Sequence, residues 1–294
     1  VIEVFEIIGR IAVLVFVVTC MVAAGLGLRL REVVAPLRRK RLVAAAIGAN
    51  FVVAPAAAYG LARLFDLDRN YAVGLMLLGV AAGAPFLPKL AELAKGDIAF
   101  SVGLMLLLMV ASVVFMPIAL PLLVPGMSAN PWPILQPLLL TMLMPLAIGM
   151  IVRYRSERWA TRLRAIVGKV SNVSMLVAVA VLIGLNFEAI VGTFGSGAVI
   201  AAALFESILL LVGCVTGGPM MTTRSVLGLG TGQRNIAAAL IVATQNSQGP
   251  QVVAMLLVAT LVGLVILVPA ARWFARRGSR SNQIAAPVHE EVAG

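Results

Sequence analysis

The stretch RNYAVGLMLLGVAAGAPFLPKLAELAKGD, residues 69–97, is apolar enough to enter a membrane yet cannot cross it as one continuous helix. Its apolar run meets Pro85 and Pro88 and then resumes as KLAELAKGD. Proline lacks the N–H that a helix interior needs, and its ring collides with the preceding turn, so a break near mid-membrane is expected. A second segment, SVLGLGTGQRNIAAAL at 225–240, carries Gly228, Gly230 and Gly232 in mid-run and is expected to break in the same way. Each broken segment is followed by one apolar helix that closes its half of the chain, as paired discontinuous helices of an inverted repeat do. The halves run over about 1–125 and 131–275. Unwound backbone at membrane depth is tolerated only where protein buries it or it lines a cavity. Two breaks that meet therefore frame a site, with Pro85, Pro88, Gly230 and Gly232 as its hinges. Close helix packing through Gly and Pro explains either break alone but explains the matching pair less well.

Outward from these segments the rest of the chain reads as membrane. Of its 294 residues 61% are hydrophobic and only 12% are charged. A helix needs roughly 20 apolar residues to cross a hydrocarbon core about 30 Å thick, and such runs recur from Ile7 to Ala270. Helices are expected at 5–28, 42–64, 70–93, 98–124, 133–153, 165–187, 197–217, 220–245 and 249–275. This is an all-α integral membrane protein of about nine transmembrane helices, a single transporter-like domain over 1–277, with a disordered tail at 278–294. The first half has four helices and the second five, so the first is short of an opening helix. With a first residue other than Met, the native N-terminus is expected to be missing. The loops test the count, because cytoplasmic loops carry the excess of Lys and Arg. The first (Arg29, Arg31, Arg38, Arg39, Lys40, Arg41), the fifth (Arg153 to Lys169) and the segment after the last helix (Arg272 to Arg280) are basic. Those between alternate with them. The pattern puts the N-terminus outside and the C-terminus in the cytoplasm of a cell membrane.

Several function classes drop out. The net charge of +11 sits in short blocks between apolar runs, without the basic groove or stacking aromatics of a nucleic-acid binder. Cys20 and Cys214 lie inside apolar segments and read as packing residues. No GxxxxGK[ST] loop and no His-rich metal spacing occurs, and the one histidine, His289, lies in the tail. Neither an enzyme nor a primary pump is expected.

The stretch LAKGDIAFSV at 93–102, GLGLRL at 25–30, Asn50-Phe51 with Pro55, and TGQRN at 231–235 together resemble the bile acid:sodium symporter family in order and spacing. The resemblance covers nearly the whole chain. It implies a panel domain and a core domain, the two broken helices crossing in the core, and alternating access to a cavity between the domains. At the breaks the chain departs from the family. Leu87-Pro88 stands where the family has a Ser-Asn pair that ligates sodium, and past Ser101 the next helix reads VGLMLLLM, an apolar wall. In the second broken helix Gly230 takes the position of a Glu and Arg234 that of a Gln, while Asn235 remains.

Sodium needs several oxygen ligands, and a fixed guanidinium nearby would repel it by several kcal/mol at the reduced dielectric of such a site. Arg234 is therefore expected to take the place of the ion and to attract an organic anion, to which a guanidinium can offer two parallel hydrogen bonds. The competing role is a tether, paired to Glu206 or to carbonyls of the broken helices. Gln233, Thr231, Asn235 and Asn50 offer neutral hydrogen bonds to substrate. Glu206 lies near the middle of its helix, where carboxylates are rare and costly. It is either a proton carrier or a fixed counter-ion. Lys89 either faces the cavity or snorkels to the interface. The expected function is a secondary transporter of a small organic anion, with the lipid bilayer and the anion as its partners. No cofactor or metal is assigned, and a proton, rather than sodium, is the coupling ion considered. Two alternatives stand: sodium coupling through residual ligands at Asn50, Asn235 and backbone carbonyls, and a sensor that binds without transport.

Overall fold

The computed structural model describes residues 2–28, 38–124, 130–245 and 249–284, and these are helical throughout apart from short connections. The first basic loop up to residue 37, and His289 with the rest of the tail from 285, lie outside them. The helices are α1 (Ile2–Gly27), α2 (Lys40–Leu64), α3 (Arg69–Val80), α4 (Leu87–Leu93), α5 (Ile98–Leu123), α6 (Trp132–Arg155), α7 (Glu157–Leu185), α8 (Phe187–Val191), α9 (Ala198–Thr216), α10 (Met221–Gly232), α11 (Ile236–Gln245) and α12 (Pro250–Ile284). Among the described residues eight helical spans are long and apolar enough to cross a membrane, with α10 and α11 together forming one of them. α3 and α4 are each too short and, with the break between them, make the ninth crossing.

Two layers form. In the panel, α1 packs along α7 and α6, and at its closest point a Cβ on Gly25 would lie 2.2 Å from the Leu146 carbonyl. In the core, α9 packs on α10 and α12, and α3 packs on α2 and α12. The crossing of α9 with α10 is equally tight: a Cβ on Gly213 would lie 2.3 Å from the carbonyl of Leu227. Small residues at helix contacts are what membrane packing requires, since lipid removes the hydrophobic drive between helices. The second broken crossing lies deepest, with 89% of its apolar window buried against 17% for α7. This places α10 and α11 at the centre and α7 at the lipid.

Two helices run further than the apolar runs suggest. α7 starts at Glu157, not 165, because Ser156 accepts from the Trp159 N–H at its N-terminus and Arg153 reaches Glu157 at 2.7 Å. α12 continues to Ile284, past the expected end at 275 and into the expected tail, and Arg277 stacks over Trp273 at 4.3 Å. Charged residues ended the hydropathy runs without ending the helices. α2 and α6 each contain a π-helical turn, at Ala49–Val53 and Leu139–Leu143, and each turn is followed two residues later by a proline, Pro55 or Pro145. A proline ring crowds the carbonyl four residues back, and a wider turn ahead of it relieves that crowding. Asn50 sits in the first of these turns.

The 93–102 stretch forms the corner that locks the layers of the core. Asp97 caps α5 by accepting from the Phe100 N–H at 2.9 Å, pairs with Arg39 at 2.9 Å, and donates its own N–H to the Thr222 carbonyl at the start of α10.

Candidate functional site

α3 ends at Val80, and residues 81–84 run on without helical structure. The last carbonyls of any helix lack intrahelical donors, and an unpaired one at membrane depth costs several kcal/mol. Donors for this segment come from two places. The Ser112 hydroxyl on α5 accepts from the Ala82 N–H at 2.8 Å and lies 3.1 Å from the Ala82 carbonyl as its donor. The second break supplies the rest. Asn235 donates its backbone N–H to the Ala81 carbonyl at 2.9 Å and its side-chain amide to the Gly83 carbonyl at 3.2 Å. The Asn235 Oδ1 atom meanwhile accepts from the Ala238 N–H at 3.1 Å, starting α11.

Arg234 completes the joint. Its Nε donates to the Leu78 carbonyl at 2.8 Å and its Nη2 to the Gly79 carbonyl at 2.9 Å. Its Nη1 donates to Asn50 Oδ1 at 2.7 Å and to the Thr231 carbonyl at 3.1 Å. The guanidinium thus lies among four neutral oxygens, three of them carbonyls at the C-terminal ends of α3 and α10, where the helix dipole is negative. Asn50 is oriented for this by donating to the Ala46 carbonyl at 3.0 Å and, more weakly, toward Thr231 Oγ1 at 3.4 Å. All four residues, Asn50, Thr231, Arg234 and Asn235, are buried. A guanidinium has five N–H donors; four are engaged here, so a substrate carboxylate can accept at most one and the two-point clamp is not available in this conformation.

The other expected site residues divide. Gln233 lies beside Arg234 with its Oε1 buried and unpaired. Glu206, 3% exposed, has an Oε2 without a hydrogen-bond partner. It faces Gly263 of α12 and interacts with Arg234 through space, but makes no ion pair with it within 4.0 Å. Lys89 points away from the joint and pairs with Glu92 at 2.9 Å on the exposed rim. Pro85 lies in the first break, whereas Pro88 lies in the first turn of α4, where its missing N–H is tolerated.

The glycine hinges need correction. Gly228, Gly230 and Gly232 all lie within α10, and the break follows them at Gln233–Asn235. Gly230 is a crossing point: a side chain there would come within 2.9 Å of Leu87 on α4. The residue that needs to be glycine is Gly83, with φ +78° and a hypothetical Cβ 2.1 Å from the Met109 amide nitrogen. The apolar wall of α5 also needs correction, since Ser112, further along than Ser101, serves the first break. The Ser101 hydroxyl instead donates to the Ile98 carbonyl in its own first turn. One hydroxyl in a long apolar run was the signal for Ser112. For Gly83 the sequence offered none that separated it from its neighbours.

A second feature lies at the other end of the core. A cleft of about 580 Å³ is lined by Tyr71, Asn186, Phe187, Glu188 and Gln251 among others, where α7, α8 and the starts of α3 and α12 meet. The Tyr71 hydroxyl donates to the Ala189 carbonyl at 3.1 Å across its edge.

The family model for the sodium bile acid symporter family matches residues 13–193. The match spans both layers and includes the first break, ending before α9, so Glu206 and Arg234 lie beyond it. A search among curated proteins found no match.

Proposed function

The chain belongs to the sodium bile acid symporter family, a family of membrane transporters, and from that premise we propose that it carries a small organic anion across the cell membrane by alternating access, without sodium at the crossing of its broken helices. The observation that carries this reading is the setting of the Arg234 guanidinium, held by the carbonyls of Leu78, Gly79 and Thr231 and by Asn50 Oδ1. Oxygens grouped around a positive centre at the ends of two half-helices suit a cation. Here the cation is part of the chain. It draws an anion by its field and by its one uncommitted N–H. Asn50, Thr231 and Asn235 act through Arg234 and the breaks, and Gln233 is the neutral group left to meet a solute. The panel of α1, α6 and α7 would slide against the core, with the N-terminus outside and the C-terminus in the cytoplasm.

The test compares the melting temperature of the purified protein in sodium chloride and in choline chloride at equal ionic strength, since a ligand that binds only the native state raises it. Wild type is expected to melt alike in both salts, and Arg234→Gln to gain stability from sodium. A saturable rise with sodium in the wild type overturns the reading and restores coupling through Asn50, Asn235 and backbone carbonyls.

A further inference from the structure

Arg234 brings a full charge into the membrane interior, and the four oxygens that accept its hydrogen bonds are all neutral. The compensating charge is Glu206. Its position follows from the helix register. A Cβ on Gly232 would touch Leu267 of α12 and Leu210 of α9. Glu206 precedes Leu210 by four residues and Gly263 precedes Leu267 by four, so the Glu206–Gly263 contact lies one turn, about 5.4 Å, beyond that layer. α10 ends there and Gln233 and Arg234 follow. The carboxylate therefore lies at the level of the second break, within reach of Arg234's field but outside ion-pair distance. Two acceptors at this level lack a donor, Glu206 Oε2 and Gln233 Oε1. A proton on the carboxylate would turn one of them into a donor.

Among the described residues of the elements packed against α9, no other titratable group competes for this role at the level of the break. α12 presents Gly263 and carries no titratable side chain between Pro250 and Ala271; α2 carries none between Leu42 and Ala58. On α10 the only one is Arg224, at the far end, where its Nε donates to the Gly218 carbonyl. Cys214 lies two turns along α9, against Gly228. Arg234 is the charged group whose field reaches Glu206.

We propose that Glu206 is the proton-binding residue of an electroneutral anion–proton symport, in which its carboxylate and the transported anion compete for the single fixed charge of Arg234. This rests on the reading of the chain as an organic-anion transporter. With the site empty, the Glu206 carboxylate and Arg234 sum to zero. With a monovalent anion bound, one proton taken from the outer solution converts the carboxylate to the acid, and the site again sums to zero. The two half-loaded states, anion without proton and proton without anion, leave a net charge in the membrane interior, which is costly. Only the empty and the doubly loaded core can then change sides. On the cytoplasmic side the anion leaves, the acid returns its proton to water, and the carboxylate again faces Arg234. Coupling is reciprocal: anion affinity rises as pH falls, and bound anion raises the proton affinity of Glu206.

The experiment uses the full chain in proteoliposomes, with radiolabelled taurocholate and pyruvate as probes. Wild-type uptake is expected to be driven by an inward proton gradient, to be indifferent to an imposed membrane potential, and to show anion affinity that falls roughly 5–150-fold as the carboxylate ionises, the usual span of coupling between two sites. Glu206→Gln, which keeps size and polarity, is expected to lose gradient-driven uptake, and any residual exchange should no longer respond to pH. Uptake driven by sodium but not by protons, uptake that responds to potential as a net charge would, or proton-driven uptake surviving in Glu206→Gln each overturns the proposal. If neither probe enters wild-type vesicles, the transporter reading fails for these anions. The proton site is then decided separately by infrared difference spectroscopy, where a protonated-carboxyl C=O band must titrate in wild type and vanish in Glu206→Gln. Absence of that band overturns the assignment.

Discussion

Replacing Arg234 with Met removes the guanidinium while keeping a flexible apolar chain of similar reach. The substitution takes donors from the carbonyls of Leu78, Gly79 and Thr231 and from Asn50 Oδ1. A hydrogen bond to a charged group contributes about 1.5–3 kcal/mol, so simple summation over these four would overshoot: the Leu78 carbonyl keeps a second donor in the Ala81 N–H, and a buried guanidinium carries a desolvation cost that Met does not. Breaking a buried charged network of this kind typically costs about 3–5 kcal/mol. At ~2–4 °C per kcal/mol for a chain of this size class, the melting temperature should fall by roughly 6–20 °C. The loss should be local in origin, because Arg234→Met also strands Glu206 without its counter-charge. Adding Glu206→Gln should therefore recover part of the loss, and the double-mutant cycle should show a coupling of at least ~0.5 kcal/mol. Thermal melting in a mild detergent, followed by intrinsic fluorescence, reads both effects. A shift under ~2 °C for Arg234→Met would refute the claim that this side chain joins the two breaks, and strict additivity would refute its coupling to Glu206.

Gly83→Ala should prevent accumulation of folded protein in the membrane, because the added Cβ would lie 2.1 Å from the Met109 nitrogen and φ is +78°; folded yield by size-exclusion chromatography checks this against Gly48→Ala, where nothing lies within 4 Å of the added atom. Ser112→Ala removes both bonds to Ala82 and leaves a buried N–H unpaired, so a loss of about 1–3 kcal/mol is expected, seen as a lower melting temperature with Ser112→Thr in between. For topology, in a background with Cys20 and Cys214 replaced by Ala, Glu188→Cys should react with an impermeant maleimide added outside intact cells and Lys89→Cys only after permeabilisation.

The first break was legible because Pro85 interrupts an apolar run. The second was placed about one turn early, because glycine in a membrane segment has two uses that look alike in sequence. Gly228 and Gly230 serve close approach to Cys214 and Leu87, and the helix persists through both. The chain departs from helix at Gln233–Asn235 because Asn235 and Arg234 have better partners in the last turn of α3, in the break that follows it and on α2. Those partners lie 152 to 184 residues away, and nothing local announces them. The start of α7 and the end of α12 were misread for a simpler reason: hydropathy marks where a helix leaves the membrane, whereas capping and side-chain pairing decide where it stops.

By itself, the sequence determined that this is an all-helical membrane protein, that it carries two interrupted crossings, and that an arginine and a carboxylate lie at membrane depth. These follow from the thickness of the bilayer and from the cost of charge and unpaired backbone within it, which act on every residue by its own chemistry. Only the tertiary structure decided what Arg234 touches, that Glu206 stands off from it, and that Ser112 and Gly83 hold the first break open. Those outcomes depend on which broken end meets which, and an unsatisfied carbonyl accepts the nearest donor in space whatever its distance along the chain.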